Sequence, residues 1–177
     1  MNLNGVTEYW RNIALVKEIE ETDKCIIWLI DNEEMTILKS LDSVMEHLAL
    51  FFGADLSENQ SRFGRGLPIV PIYKDLIFLS LDGGESRVHL VKRHCAMYRD
   101  LKDRKGWSEI LLADDRRIVV RHEASQIKEL FQFVKDIENA MPRIYLVGRS
   151  RGFYFKETAD CKFLLHEFYI KRCGLEQ

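Results

Sequence analysis

The chain has 177 residues, 46 % of them apolar and 31 % charged, with a net charge of −2. That is enough for one domain (residues 1–177) with a real core, and too apolar for a disordered chain. No apolar run reaches the length of a membrane span, the purest being residues 25–30, and residues 1–5 lack the basic start and apolar core of a signal peptide.

The first half opens as strands. Residues 12–19 and 24–30 read as two strands joined by the polar stretch 20–23, and a turn at Asn32-Glu33-Glu34 leads to a short strand over 35–38. Links this short predict an antiparallel meander. Ser40 then stands as an N-cap with Asp42 in the first turn, and Leu41, Val44, Met45 and Leu48 make the apolar stripe of one helix. Gly53 ends it in the left-handed region, so Phe51-Phe52 is read as a core anchor. Residues 55–66, rich in Ser, Asn and Gly, predict a loop that exposes Arg62 and Arg65.

Strands follow over 68–73, 76–81 and 87–92, with Asp82-Gly83-Gly84 as a turn. Residues 87–106 hold seven bases against two acids, the densest positive cluster in the chain. Residues 107–113 and 116–121 predict a hairpin across Asp114-Asp115, either as a two-residue turn or as a wider loop. Ser125 is the expected cap of a helix whose stripe is Ile127, Leu130, Phe131, Val134 and Ile137, and Pro142 stops it. Residues 143–147 predict a strand, 148–152 a Gly-Arg loop and 153–155 an aromatic run; Thr158 caps a last helix that Gly174 ends. The sum is an α+β fold, mainly antiparallel, with about three helices.

Charge is divided unevenly: residues 1–60 carry 12 acids and 4 bases, whereas residues 61–177 carry 16 acids and 22 bases. A phosphate-binding chain needs one positive face, not a positive total. The four cysteines (Cys25, Cys95, Cys161, Cys173) form no CxxC pair and no zinc spacing, which predicts reduced thiols in a cytoplasmic protein. The five histidines show no metal spacing, and no nucleophile elbow, P-loop, dinucleotide fingerprint or HExxH is present. No catalysis, metal or cofactor is expected. Arg151-Gly152-Phe153-Tyr154-Phe155-Lys156 partly matches an RNA-stacking signature, but Tyr154 and Lys156 replace the small and apolar residues that signature needs.

Several motifs fall in one order: Phe51-Phe52-Gly53, Gly64-Arg65, Pro68-Ile69-Val70, Ile77-Phe78-Leu79, Ser86-Arg87-Val88-His89-Leu90-Val91, and the acidic-turn hairpin followed at once by a helix. That order resembles the ComK family of competence transcription factors over residues 25–137. The resemblance implies a bacterial activator of DNA-uptake genes that binds paired A/T-rich boxes, largely through the minor groove. It implies dimers that assemble further, work with RNA polymerase, and control by a protease adaptor. Arg62 and Arg65 would then read the groove, with Lys92, Arg93, Lys102, Arg104 and Lys105 on phosphates and Arg149 and Arg151 as further phosphate contacts. The family's loop runs Gly-Arg-Lys, whereas Gly66 follows Arg65 here, and Asp55 and Glu58 add negative charge. The alternative expectation is a diverged ComK-like protein-interaction module that has lost DNA binding.

Overall fold

Successive rather than alternate residues are buried in the central strands, and such strands must be covered on both faces. The computed structural model describes residues 3–20, 22–64 and 66–141, together with the backbone of 144–147 and 153–156. Its largest element is a six-stranded antiparallel sheet, built from β1 (Ile13–Ile19), β2 (Lys24–Leu29), β3 (Glu34–Ile37), β4 (Ile69–Tyr73), β5 (Leu76–Asp82) and β6 (Arg87–Val91), in the order β3-β2-β1-β6-β5-β4. The expected meander is the β1-β2-β3 part of it, with Lys17 opposite Ile26 and Ile27 opposite Met35.

One face packs Val16, Ile27, Phe78 and Val91 against α1 (Leu3–Glu8) and α2 (Leu41–Phe51). The opposite face packs Leu15, Leu79, Val88 and Leu90 under a second layer. This layer consists of a three-stranded antiparallel sheet, β7 (Cys95–Asp100), β8 (Ser108–Leu112) and β9 (Arg117–Val120), and α4 (Ala124–Ala140). The fold is therefore α+β with antiparallel sheets, as the sequence predicts. The strip α1 was not anticipated; it buries Val6 completely.

Helix α2 starts and ends as its sequence dictates. The Ser40 hydroxyl accepts from the Ser43 amide at 3.3 Å, and Gly53 takes φ +66°. Gly53 N–H donates to Leu50 and Ala54 N–H to Ala49, the paired bonds of a glycine-terminated helix. Phe52 is buried, stacked on Tyr73 with centroids 4.5 Å apart and edge-on to Trp10 at 4.9 Å, so the aromatic pair anchors the core.

Two local expectations are corrected and one open alternative is decided. Residues 56–64 of the expected loop 55–66 are helical: Asp55 accepts from Glu58 N–H at 2.9 Å and starts α3 (Leu56–Asn59), which runs into a π-helical turn, Gln60–Gly64. Polar residues that suggest a turn act here as caps. The Asn59 amide donates to the Pro71 and Ile72 carbonyls, covering part of the exposed edge of β4. Helix α4 is capped by Glu123 rather than Ser125: Glu123 N–H donates to Gln126 Oε1 at 2.9 Å, and Ala124 N–H to Asp100 Oδ1 at 2.7 Å. A carboxylate at a helix N-terminus also suits the dipole. Of the two turns considered for the β8–β9 hairpin, the wider one forms: Leu112 N–H bonds Arg116 O, and Asp115 sits at φ +66°.

The stripe of α4 is as expected, with Ile127, Leu130, Val134 and Ile137 buried and Phe131 against them. Ile144–Val147 pairs with Phe153–Lys156 as an antiparallel hairpin, β10 and β11. The loop 148–152, the side chains of the aromatic run and the helix expected after Thr158 lie outside the described residues.

His89 is the exception in the central strands. It is only 3 % exposed, and its Nδ1 has no hydrogen-bond partner. Burial first, and then the nearby Arg87 charge, push its pKa down to about 4. The unfolded chain therefore takes up this proton first as pH falls. Stability from neutral His89 is fully present above about 6.5 and is lost between there and about 4. Urea unfolding across that window is expected to show a loss of roughly 3 kcal/mol at most from this group. The His89→Gln variant should show a shallower slope; equal slopes would contradict the assignment.

Candidate nucleic-acid interface

The fold divides the positive cluster between two ends of the molecule. Lys92 and Arg93 lie in a 3-10 turn, Lys92–His94, that follows β6 and meets the β4–β5 turn. Arg93 donates to the Asp75 carbonyl at 2.6 Å, to the Arg11 carbonyl at 2.8 Å and to His94 Nε2 at 3.1 Å. Its guanidinium lies 5.7 Å from the Trp10 ring, and burial holds its pKa below the usual guanidinium value. Arg93 thus clamps the N-terminal segment to the sheet and has few donors left for a phosphate. Lys92 is half-buried and has no ion pair among the described residues.

The other group lies at the far end of β5. Seven residues of strand separate Asp75 from Gly83, about 26 Å at strand rise. There the β7–β8 connection, residues 101–107, closes by Leu101 N–H to Trp107 O at 2.9 Å and Trp107 N–H to Arg104 O at 3.1 Å, with Gly106 at φ +79°. Lys102, Asp103, Arg104 and Lys105 are all exposed on it. Of the positive cluster over 87–106, only this short stretch is a connection between strands, because residues 95–100 form strand β7.

Trp107 organises this end. The Arg104 guanidinium carbon lies 3.6 Å from its ring centroid and that of Arg121 lies 5.2 Å away. Gly84, at φ +91°, lies so close that a Cβ there would stand 2.6 Å from Trp107 Cη2. Arg121 is held from below: its N–H donates to Asp82 O at 2.7 Å and its Nε lies 3.6 Å from Asp82 Oδ2. Asp82 N–H in turn donates to His122 Nε2 at 3.2 Å. Arg104, Lys102 and Lys105 have no carboxylate partner among the described residues. Cations stacked on indole keep their charge and lose freedom, which suits them to meeting a polyanion.

Other bases are neutralised within the fold. Arg87 pairs with Glu18 at 3.1 Å and Asp42 at 3.3 Å, and both Arg99 (2.8 Å) and Arg117 (3.3 Å) meet Glu109. The Arg99 bonds in particular hold the Glu109 carboxyl below its ordinary value. Arg116 pairs with Asp114 at 2.5 Å and lies 4.7 Å from the Trp28 ring. Arg62 is exposed on the π-turn, 5.3 Å from the Phe63 ring. Arg65, Arg149 and Arg151 lie outside the described residues. Sequence reasoning missed Trp107, Arg121 and Gly84; the Gly-Gly turn and a tryptophan beside a basic run were the available signals.

Competing chemistry finds little support among the described residues. No group of three His, Cys, Asp or Glu stands ready for a metal, and no helix is long and apolar enough to cross a membrane. His94 and Cys95 bond separately, to Arg11 O and Val91 O. Burial pushes the Cys25 thiol up to about 11 and Cys95 up to about 12. No protein-family model matches the chain, and no significant match is found among curated proteins or among solved structures.

Substitutions at two glycines test how the loop is held. Both Gly84 and Gly106 are left-handed, but a Cβ at Gly106 meets nothing within 4 Å. Gly106→Ala is expected to cost about 1 kcal/mol of backbone strain. Gly84→Ala should cost more, about 2–3 kcal/mol in urea unfolding, because the indole must also move. It should change Trp fluorescence as well. Equal effects at the two positions would contradict the close packing of Trp107.

Proposed function

We propose that this chain is a DNA-binding transcription regulator of the ComK type, acting in the cytoplasm on A/T-rich duplex DNA. The observation that carries the reading is the loop 101–107, where Lys102, Arg104 and Lys105 are exposed without acid partners among the described residues and Arg104 is stacked on Trp107. The order of motifs over residues 25–137 supports the same reading. Loop cations supply phosphate contacts, and an arginine in a narrow A·T groove reads shape. Arg62 is the described candidate for that second task. Dimerisation, contact with RNA polymerase and turnover through a protease adaptor belong to the same proposal.

A second reading, the protein-interaction module, is favoured by the outer face of the β7–β8–β9 sheet. Met97 (48 % exposed) and Val119 (38 %) stand there beside half-buried Leu111, crossed by the Arg99–Glu109–Arg117 pairs. Apolar residues on an open sheet face suit a partner surface.

Fluorescence anisotropy separates the two. Against an A/T-rich duplex and a G·C-rich control, the expected result is preferential A/T binding with a log–log salt slope near −0.9 per neutralised phosphate. Reversing Lys102, Arg104 and Lys105 to Glu should weaken binding by about tenfold or more. Unchanged affinity in that variant would remove the loop from the interface. No binding by the folded protein at low salt would favour the interaction module.

A further inference from the structure

The β7–β8–β9 sheet turns one face to the main sheet and leaves the other open. Tyr98 packs edge-on against Phe131 of α4, and Ile110, Leu112 and Val120 are buried between the layers. Strand alternation therefore sends Met97 and Arg99, Glu109 and Leu111, and Arg117 and Val119 to the outer face. One position beyond the Ser108–Val120 pair, Trp107 and Arg121 extend that face, with the Arg121 guanidinium carbon 5.2 Å from the indole centroid.

Two independent features give this face a chemistry. The first is charge. Arg99 and Arg117 share the single Glu109 carboxylate and Arg121 faces Asp82 at 3.6 Å, so with Arg104 the guanidiniums outnumber the carboxylates. The second is a flat group already seated on the indole. The Arg104 guanidinium carbon stands 3.6 Å from the Trp107 centroid, and Arg104 is itself exposed, so a planar partner can reach that ring from solvent. Met97 and Val119, 48 % and 38 % exposed, lie on the same face.

We propose that this face binds single-stranded DNA, with an unpaired thymine stacked on Trp107 where Arg104 now lies. Backbone phosphates would meet Arg99, Arg117 and Arg121, and the displaced Arg104 would turn to a phosphate as well. Bases stack on an aromatic ring without regard to sequence pairing, while a groove of cations follows the backbone. The apolar surface of Met97 and Val119 suits the C5 methyl of thymine. A duplex keeps its bases stacked inside and cannot use the ring in this way. The inference therefore stands apart from the duplex reading, although both involve Trp107.

The test is titration of the full chain with a thymine oligomer of about eight nucleotides, followed by tryptophan fluorescence, beside polyphosphate as a polyanion without bases. Saturable quenching by the oligomer is expected, with polyphosphate quenching much less and a uracil oligomer binding more weakly. Trp107→Leu should weaken binding about tenfold and abolish the quench. Because that ring packs closely on Gly84, Val119→Glu supplies a second variant at an exposed position of the same face. It should weaken binding about fivefold, whereas Lys135→Gln, an equal change of charge at an exposed position of α4, should leave it unchanged. Unaltered emission of the wild-type chain, equal quenching by polyphosphate, equal binding of uracil or equal affinities of the two exposed variants would each overturn the proposal and leave the face to a protein partner.

Discussion

Val16, Phe78 and Val91 point to one side of the six-stranded sheet and Leu79, Val88 and Leu90 to the other, so neither face can be left to water. Burying a side chain of this kind stabilises by about 1.5–3 kcal/mol, and a one-sided arrangement would forfeit half of that gain. The chain meets this constraint by building a layer on each side from separate stretches of sequence. Helices α1, α2 and α3 supply one cover, and residues 95–141 supply the small sheet and α4. The site follows from this division. Strand β7 must run back along the main sheet to build the second layer, which carries the loop 101–107 to the far end of β5, against the Gly84 turn. Lys92 and Arg93 remain at the other end.

Five of the described arginines pack against tryptophan. Each of the three tryptophans has a guanidinium near its ring: Arg11 and Arg93 at Trp10, Arg116 at Trp28, and Arg104 and Arg121 at Trp107. Such contacts contribute about 0.5–1 kcal/mol at exposed sites and more where water is excluded. Arg93 at Trp10 and Arg116 at Trp28 also bond to main-chain carbonyls, so those two arginines tie segments together. At Trp107 the outer arginine, Arg104, has no such bond among the described residues. This difference separates a structural arginine from one available to a ligand.

Much of the fold was legible in the sequence because its signals are local. The i, i+3, i+4 stripe of α4, the cap at Ser40 and the left-handed Gly53 each depend on residues within a few positions. Residues 55–66 were misread because Asp55 and Asn59 have turn-forming chemistry, but the first closes a helical turn and the second bonds a distant strand edge. The site was legible in part. A run of bases over 87–106 is visible, but its meaning depends on register: Arg99 stands opposite Glu109, and Arg87 reaches Glu18 across 69 positions of chain. No periodicity reports such pairings. Trp107 was invisible as an organiser for the same reason, since Gly84 and Arg121 come to it from other hairpins.

If a nucleic acid meets this fold at the loop stacked on Trp107, NMR titration with an A/T-rich duplex reads the contact residue by residue. The Trp107 indole N–H and the amides of 102–106 should shift first and most, with 92–94 at the opposite end of the sheet little affected. Shifts centred on 92–94, or on the outer face at Met97 and Val119 with Trp107 silent, would contradict it.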